Sequence, residues 1–387
     1  MERNGDKTAV VVIAYNRKDA LKRLLKSLDE AIYPEDMDVP LVISIDKSDS
    51  DGVIRAAEEF EWKHGTKEVR AQKENLGLKK HVLLCGDISG EFGSCILLED
   101  DLYVSKAFYI YALKALEKCR EDDRIGGISL YDHRLNVHVR EPFEAIDDGY
   151  DNYYIQMASS WGQAFNRDQW SAFKEWYEEH GGEPVEAVNV PENVSSWSER
   201  SWLKYYIKYL IVTDRFFLYP RRSLTTNFGD EGTHAERSVN DLQVSLAGDL
   251  LKREYCFSTL CESRSVYDIY FENLSLAGEL AEKLGNEVTV DLYGLKQEGL
   301  CKRYLLSSKA LPFKIISSFG RRMRPVDANI VHGIEGDAFF LYDTEEAGVR
   351  PKVDETGKYL YDYRALKAKE MLSILGFRIR EKFKEGF

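Results

Sequence analysis

Only six cysteines occur in the 387 residues, and no two of them form a Cys-x-x-Cys pair. A structural zinc site built on paired thiolates is therefore not expected. No apolar run reaches roughly 18 residues, so no segment reads as a membrane-spanning helix. Basic residues are not in excess. The net charge of −13 argues against a general nucleic-acid binder, which needs a basic face to meet phosphates. Met1 to Lys7 is short and polar, and strand-like sequence begins by Thr8. That leaves no room for a signal peptide, and the expectation is a cytoplasmic protein with reduced thiols. The Asn-x-Ser matches at Asn193 and Asn273 then have no bearing on glycosylation. Internal repeats and low-complexity tracts are also missing.

Hydrophobic residues make up 44% of the chain and charged residues 31%, enough for a sizeable core under a solvated surface. TAVVVIA (8–14), PLVISID (40–46) and SCILL (94–98) are nearly continuous β-branched or apolar runs. Strands buried on both faces of a parallel sheet read this way. Leu21, Leu24, Leu25 and Leu28 recur at helical spacing between the first two runs. Further helices are expected after Gly52, from Lys79 to Cys85, after Ser105, from Asp168 to Tyr177 and from Glu199 to Leu210. Short strands are expected at Val69–Gln72 and Ile125–Leu130. Strand alternating with helix predicts an α/β fold with a mainly parallel sheet flanked by helices. Ligands bind such sheets at the carboxyl ends of the strands.

The residues that follow the strands are Arg17, Asp46 and Glu99-Asp100-Asp101. Three adjacent acids at the end of a buried strand repel one another, and a hard cation such as Mg2+ or Mn2+ would relieve the cost. Such an ion also neutralises a departing diphosphate. A solvated acidic turn is the alternative. Asp46 can accept the N3–H of a uracil ring or cap the next turn. The guanidinium of Arg17 can reach a phosphate. Asn75 to His81, with Lys80, opens a helix whose first amides can hold a phosphate or a donor sugar, or it is a capping turn with solvated lysines. His234 lies in a glycine-containing polar stretch, 227–240, that reads as a loop able to close over a ligand.

The stretches VVVIAYNR (10–17), VISID (42–46), ILLEDDLYVSKAFYIY (96–111), SSWGQAF (159–165), WSERSW (197–202) and TTNFGDEGTHA (225–235) together resemble the GT-A fold glycosyltransferases. Within that group they are most similar to the N-acetylglucosaminyltransferase I type. The resemblance implies a Rossmann-like mixed sheet in a catalytic domain of about 1–250. A nucleotide-sugar half of about 1–130 and an acceptor half of about 131–250 would compose it, followed by a C-terminal α+β extension, 251–387. It implies an inverting, metal-dependent transfer from a UDP-sugar to a saccharide or lipid-linked saccharide, as in bacterial surface-glycan synthesis. Arg17 would contact the diphosphate or nucleotide, and Asp46 the uracil. Glu99 and Asp100 would hold donor hydroxyls, and Asp101 would ligate Mn2+ or Mg2+. Lys80, Gly162 and His234 complete the expected donor site. Glu199 would be the general base. One base with no covalent nucleophile implies a single displacement with inversion.

Two other classes are weighed. A sugar nucleotidylyltransferase needs a glycine-rich loop after the first strand, where this chain has Tyr15-Asn16-Arg17-Lys18-Asp19. A non-catalytic nucleotide-sugar-binding scaffold would not need the acids at 99, 100, 101 and 199. In the last third, 302–324 carries Lys302, Arg303, Lys309, Lys314, Arg321, Arg322 and Arg324 with no acid, and 375–387 mixes Phe377, Ile379 and Phe383 with basic residues. Both segments suit an anionic membrane surface. A basic packing face or an oligomer contact is the equal alternative.

Overall fold

The TAVVVIA run forms β1 (Lys7–Ala14), and the helix after it, α1 (Lys18–Asp29), lays Leu21, Leu24, Leu25 and Leu28 on Val10, Val12 and Ala14. The alternate β1 residues Ala9, Val11 and Ile13 are buried as well, so the strand is covered on both faces, as its composition requires. In the computed structural model the described residues are 6–49, 51–185, 189–228, 230, 242–248, 254–353, 355–363 and 365–385. The chain divides into two compact units, Met1–Leu276 and Ala277–Phe387.

The first unit continues with β2 (Leu41–Ile45), α2 (Asp51–Glu59), β3 (Lys67–Ala71), α3 (Gly77–Gly86), α4 (Ile88–Phe92), β4 (Gly93–Glu99), β5 (Leu102–Val104), α5 (Phe108–Lys118) and β6 (Ile125–Ser129). Beyond a two-residue hairpin, β7 (Leu135–Asn136) with β8 (Glu141–Pro142), come β9 (Asn152–Ile155), β10 (Gln163–Asn166), α6 (Arg167–His180), α7 (Glu192–Ser195), α8 (Trp202–Val212), β11 (Phe216–Pro220), β12 (Thr225–Asn227) and β13 (Val266–Tyr267). The large sheet is nine-stranded, in the order β13-β9-β11-β6-β10-β4-β1-β2-β3. β1, β2, β3, β4, β6 and β11 run one way, and β10, β9 and β13 run the other. The architecture is the mainly parallel α/β sheet expected from the sequence. The first unit extends past residue 250 because β13 pairs with β9 at Val266–Tyr154 and Tyr267–Ile155.

Two helix starts differ from the sequence reading. α5 begins at Phe108, and Ser105 Oγ accepts the amide of Ala107 ahead of it. α8 begins at Trp202, capped by Ser201, whose side chain accepts from the Lys204 amide. Glu199 therefore precedes the helix instead of opening it.

The boundary between the units falls within α9 (Leu274–Leu284), and the second unit continues with β14 (Val288–Asp291), β15 (Tyr304–Ser307), β16 (Phe313–Phe319), α10 (Val326–Val331), β17 (Phe339–Ala347), α11 (Glu355–Tyr363) and α12 (Ala368–Glu385). Its sheet runs β14-β15-β17-β16 over a small core of Leu305, Phe340 and Tyr342. The basic residues of 302–324 are turned to acids of this unit: Lys302 to Glu287, Arg303 to Asp343 and Glu345, Lys309 to Asp291, Lys314 to Glu346 and Arg324 to Asp362. Arg321 lies over the Phe339 ring. The segment has its charge largely paired, and its strand β16 leaves Ile315 and Ile316 exposed. α12 also leaves Leu372, Ile374, Leu375, Phe377 and Ile379 exposed. No helix among the described residues is long and apolar enough to cross a membrane.

Candidate active site at the carboxyl edge of the large sheet

β1 and β4 are parallel neighbours, in register from Lys7–Gly93 to Ile13–Glu99, so Tyr15-Asn16-Arg17 and Glu99-Asp100-Asp101 emerge side by side. The Asp100 amide extends the ladder by donating to Ile13 O at 3.0 Å. The Tyr15 amide points at Asp100 Oδ2, at 3.4 Å. Arg17 then spans both aspartates. Its Nη1 donates to Asp101 Oδ2 at 2.9 Å, and its Nη2 to Asp100 Oδ1. The Asp100 side chain is 3% exposed, against 24% for Asp101 and 25% for Arg17. Burial pushes the Asp100 carboxyl up to about 6, with Arg17 opposing the rise and Asp101 adding to it. Burial, then Asp101 and Asp100, holds Glu99 well above the ordinary carboxylate range. The acids expected to meet at a strand end do so, and the electrostatics there favour an added cation.

The β5–β12 pair walls the same edge. Asn227 lies opposite Leu102, and the Phe228 amide donates to Asp101 O at 3.2 Å. Gly162 closes the turn into β10 at φ +92°, and its carbonyl accepts the Leu130 amide at 2.9 Å. A Cβ on Gly162 would lie 2.7 Å from Thr225 Cγ2, so glycine is required by backbone shape and by close approach. It lies where the turn before β10 meets Thr225 of β12. His234 lies outside the described residues.

Asp46 departs from its expected task. It is buried, and its carboxylate accepts the amides of Lys47 (2.9 Å), Leu76 (2.8 Å) and Gly77 (3.0 Å). Both oxygens are used to pin the start of α3 to the end of β2, the capping alternative. Asn75 adds a bond from Nδ2 to Lys47 O at 2.9 Å. Lys80 is exposed on α3. Its neighbour Lys79 turns inward, donates to Glu199 O at 3.1 Å and lies 4.1 Å from the Tyr205 ring centroid.

Glu199 is not a free acid. Oε1 accepts from Lys204 Nζ at 2.6 Å, and Oε2 from the Tyr205 hydroxyl. These two donors, Lys204 first, hold its carboxyl below the usual range. A general base must be unprotonated at the working pH to take up a proton, and these two donors hold Glu199 in that form. Glu199 is thus the counter-ion of Lys204.

Sequence reasoning does not single out Asp132 and His133, although the strand-end rule applied to β6 would have reached them. Both are buried. Asp132 accepts from the Tyr153 hydroxyl at 3.0 Å and pairs with Arg134 at 2.8 Å. Burial lifts it to about 7 despite Arg134. Burial lowers His133 to about 3, and neither ring nitrogen has a hydrogen-bond partner among the described residues. Trp161, one residue before Gly162, packs on Tyr131 at 4.8 Å between ring centroids.

Among the described residues no group of three or more His, Cys, Asp or Glu side chains is arranged to hold a metal ion. Mg2+ and Mn2+ do not need one. Mg2+ is commonly held by one or two carboxylates, with substrate phosphates and water completing the shell. Asp100 and Asp101, two hard-oxygen donors at one strand end, fit that donor set.

No protein-family model matches the chain, and no curated protein matches it in sequence. Solved structures match in part. A mannosyltransferase from Pyrobaculum calidifontis, in complex with GDP-Man and Mn2+, is 14% identical over 56% of this chain and 55% of its own, with a TM-score of 0.35. S. aureus TarS in complex with UDP-GlcNAc is 13% identical over 59% of this chain and 60% of its own, with a TM-score of 0.37. GalNAc-T7 with UDP, GalNAc and Mn2+ is 13% identical over 57% and 43%, with a TM-score of 0.38. The chain thus spans less than two thirds of the length of each. At these identities and TM-scores the likeness carries no functional weight.

Proposed function

We propose that the protein is a glycosyltransferase that moves a sugar from a nucleotide-diphosphate sugar to a saccharide hydroxyl. One observation supports this reading above the others: Asp100 and Asp101, next to Glu99, meet Arg17 at the carboxyl edge of a parallel sheet, where such sheets take their ligands. Asp100 and Asp101 would hold Mn2+ or Mg2+, which when bound supplies charge neutralisation for the leaving diphosphate. Arg17 presents a planar fork that matches phosphate oxygens. Glu99, more basic than an ordinary carboxylate, would hydrogen-bond donor hydroxyls.

Asp46 acts at one remove. By fixing Leu76 and Gly77 it sets the start of α3, whose exposed end carries Lys80 within the same edge. The preference for uracil therefore rests on the resemblance alone. So do inversion and the role of this reaction in bacterial surface glycans. A lipid-linked acceptor and a peripheral membrane contact are favoured by the exposed apolar side chains of α12, and 302–324 supports them less because its charges are paired. Calorimetry with UDP, GDP and CDP, each with and without Mn2+, tests the reading. Metal-dependent binding of a nucleoside diphosphate is expected. Binding of none of the three in Mn2+ removes the donor site.

A further inference from the structure

We propose that Arg17 competes with the divalent cation for Asp100 and Asp101, and that this competition makes metal binding depend on the donor diphosphate. The inference rests on the reading of this edge as a nucleotide-diphosphate site. It concerns the order and coupling of binding, which that reading leaves open.

The guanidinium donates to one oxygen of each aspartate. A hard cation held by the same two carboxylates would sit against this guanidinium. Guanidinium and metal compete for the pair of carboxylates, because two cations within contact distance in a partly buried site repel strongly. One must leave for the other to bind. The backbone of Arg17 is fixed, since its carbonyl accepts the Leu21 amide at 3.0 Å in the first turn of α1. Asp100 is fixed too, through its ladder bond to Ile13 O and its near-complete burial. The partly exposed side chain of Arg17 is the element that can swing, through its own rotamers and without moving a strand.

A guanidinium that leaves two carboxylates loses two charge-assisted hydrogen bonds. Released into water, it recovers little. Released onto a diphosphate, it regains a bidentate anion of the geometry it left. Metal alone must therefore displace Arg17 at a cost, whereas metal arriving with a diphosphate gives Arg17 a new partner. Linkage is reciprocal: whatever factor the nucleotide adds to metal affinity, the metal adds to nucleotide affinity. Arg17 is thus a binding residue that suppresses idle loading of the metal and releases the acids when the donor is present.

The test is titration of Mn2+ into the full chain, followed by the electron paramagnetic resonance of free Mn2+, with and without saturating UDP. In the wild type, UDP is expected to tighten Mn2+ strongly. Arg17→Gln removes the competitor and keeps a polar side chain. It is expected to bind Mn2+ alone about tenfold more tightly than the wild type, equivalent to about 1.4 kcal/mol, and to show a smaller gain from UDP. Unchanged or weaker Mn2+ binding by R17Q without nucleotide overturns the competition, while metal-dependent UDP binding by the wild type keeps the transferase reading. Failure of the wild type to bind Mn2+ with or without UDP overturns both. If R17Q folds poorly, Arg17→Lys serves. It keeps the charge but cannot fork across two carboxylates, so an intermediate Mn2+ affinity is expected, and wild-type affinity in R17K overturns the proposal.

Discussion

Lys204 buries its ammonium to 3% exposure and donates it to Oε1 of Glu199 at 2.6 Å, with Trp197 O as its second acceptor at 2.9 Å. The pair is asymmetric, because the Glu199 side chain is 63% exposed. The acid can be removed by substitution without opening the core, but the lysine is then left in the protein without its counter-charge. Glu199→Gln is therefore expected to lower Tm by about 2–4 °C, the response of a domain of this size to about 1 kcal/mol. Turnover is expected to stay within about tenfold. Combining it with Lys204→Met should recover much of the loss, since the uncompensated charge is gone. A fall in turnover of roughly a hundredfold or more, with Tm and donor affinity unchanged, would return Glu199 to the role of base.

Asp46→Asn tests the knot at the start of α3. An amide has one accepting oxygen where the carboxylate has two, and its NH2 faces an amide donor. The amides of Leu76 and Gly77 cannot both be satisfied. Loss of the knot should reduce nucleoside diphosphate affinity for UDP, GDP and CDP alike, by about tenfold, with a lower Tm. A selective loss of UDP binding at constant Tm would mean that Asp46 touches the base directly.

For Asp101→Ala, Mn2+-dependent nucleotide binding and turnover are expected to fall by two orders of magnitude or more, as for loss of a metal-holding carboxylate (roughly 10–100-fold is typical even of residues that only support such ligands). The fold should survive, because Asp101 is partly exposed and its backbone bond to Phe228 remains. Near-normal metal dependence in this variant would shift the metal role to its neighbours.

Asp132 offers a pH signature. Its carboxyl titrates at about 7 in the folded protein, whereas an unfolded chain releases that proton near 4, roughly. Between these values the native state holds the extra proton, so the contribution of this group to stability falls as pH rises from about 4 to about 7. The slope approaches about 1.4 kcal/mol per pH unit at most. Asp132→Asn lacks the titration, so its Tm relative to the wild type should rise between about pH 5 and pH 8. A flat difference would show the carboxyl to be ionised throughout.

The strands that carry the candidate site were legible in TAVVVIA, PLVISID and SCILL because each is buried on both faces and leaves an unbroken apolar run. The meeting of Arg17 with Asp101, 84 positions apart, was not, because it depends on β1 lying beside β4 and pattern alone does not order strands. β9 and β10 are four residues each, too short for a period to declare itself. The choice between two tasks for Asp46 turned on the amides of Leu76 and Gly77, about a strand–helix–strand unit away. Lys204 misled for a different reason. Lysines are rarely buried, so nothing in WSERSWLK suggests that Glu199 is already engaged.

The pairing of the basic run 302–324 with acids of its own unit changes what salt does to the second unit. Ions screen contacts such as Lys302–Glu287 and Lys314–Glu346, whose side chains are all more than half exposed. Added salt therefore loosens this unit from within. Whatever surface meets the unit through α12 engages Leu372, Leu375 and Ile379, and apolar contact is not weakened by salt. Ionic strength would then tell the two apart: exposed ion pairs weaken under it, while an apolar contact through α12 would not.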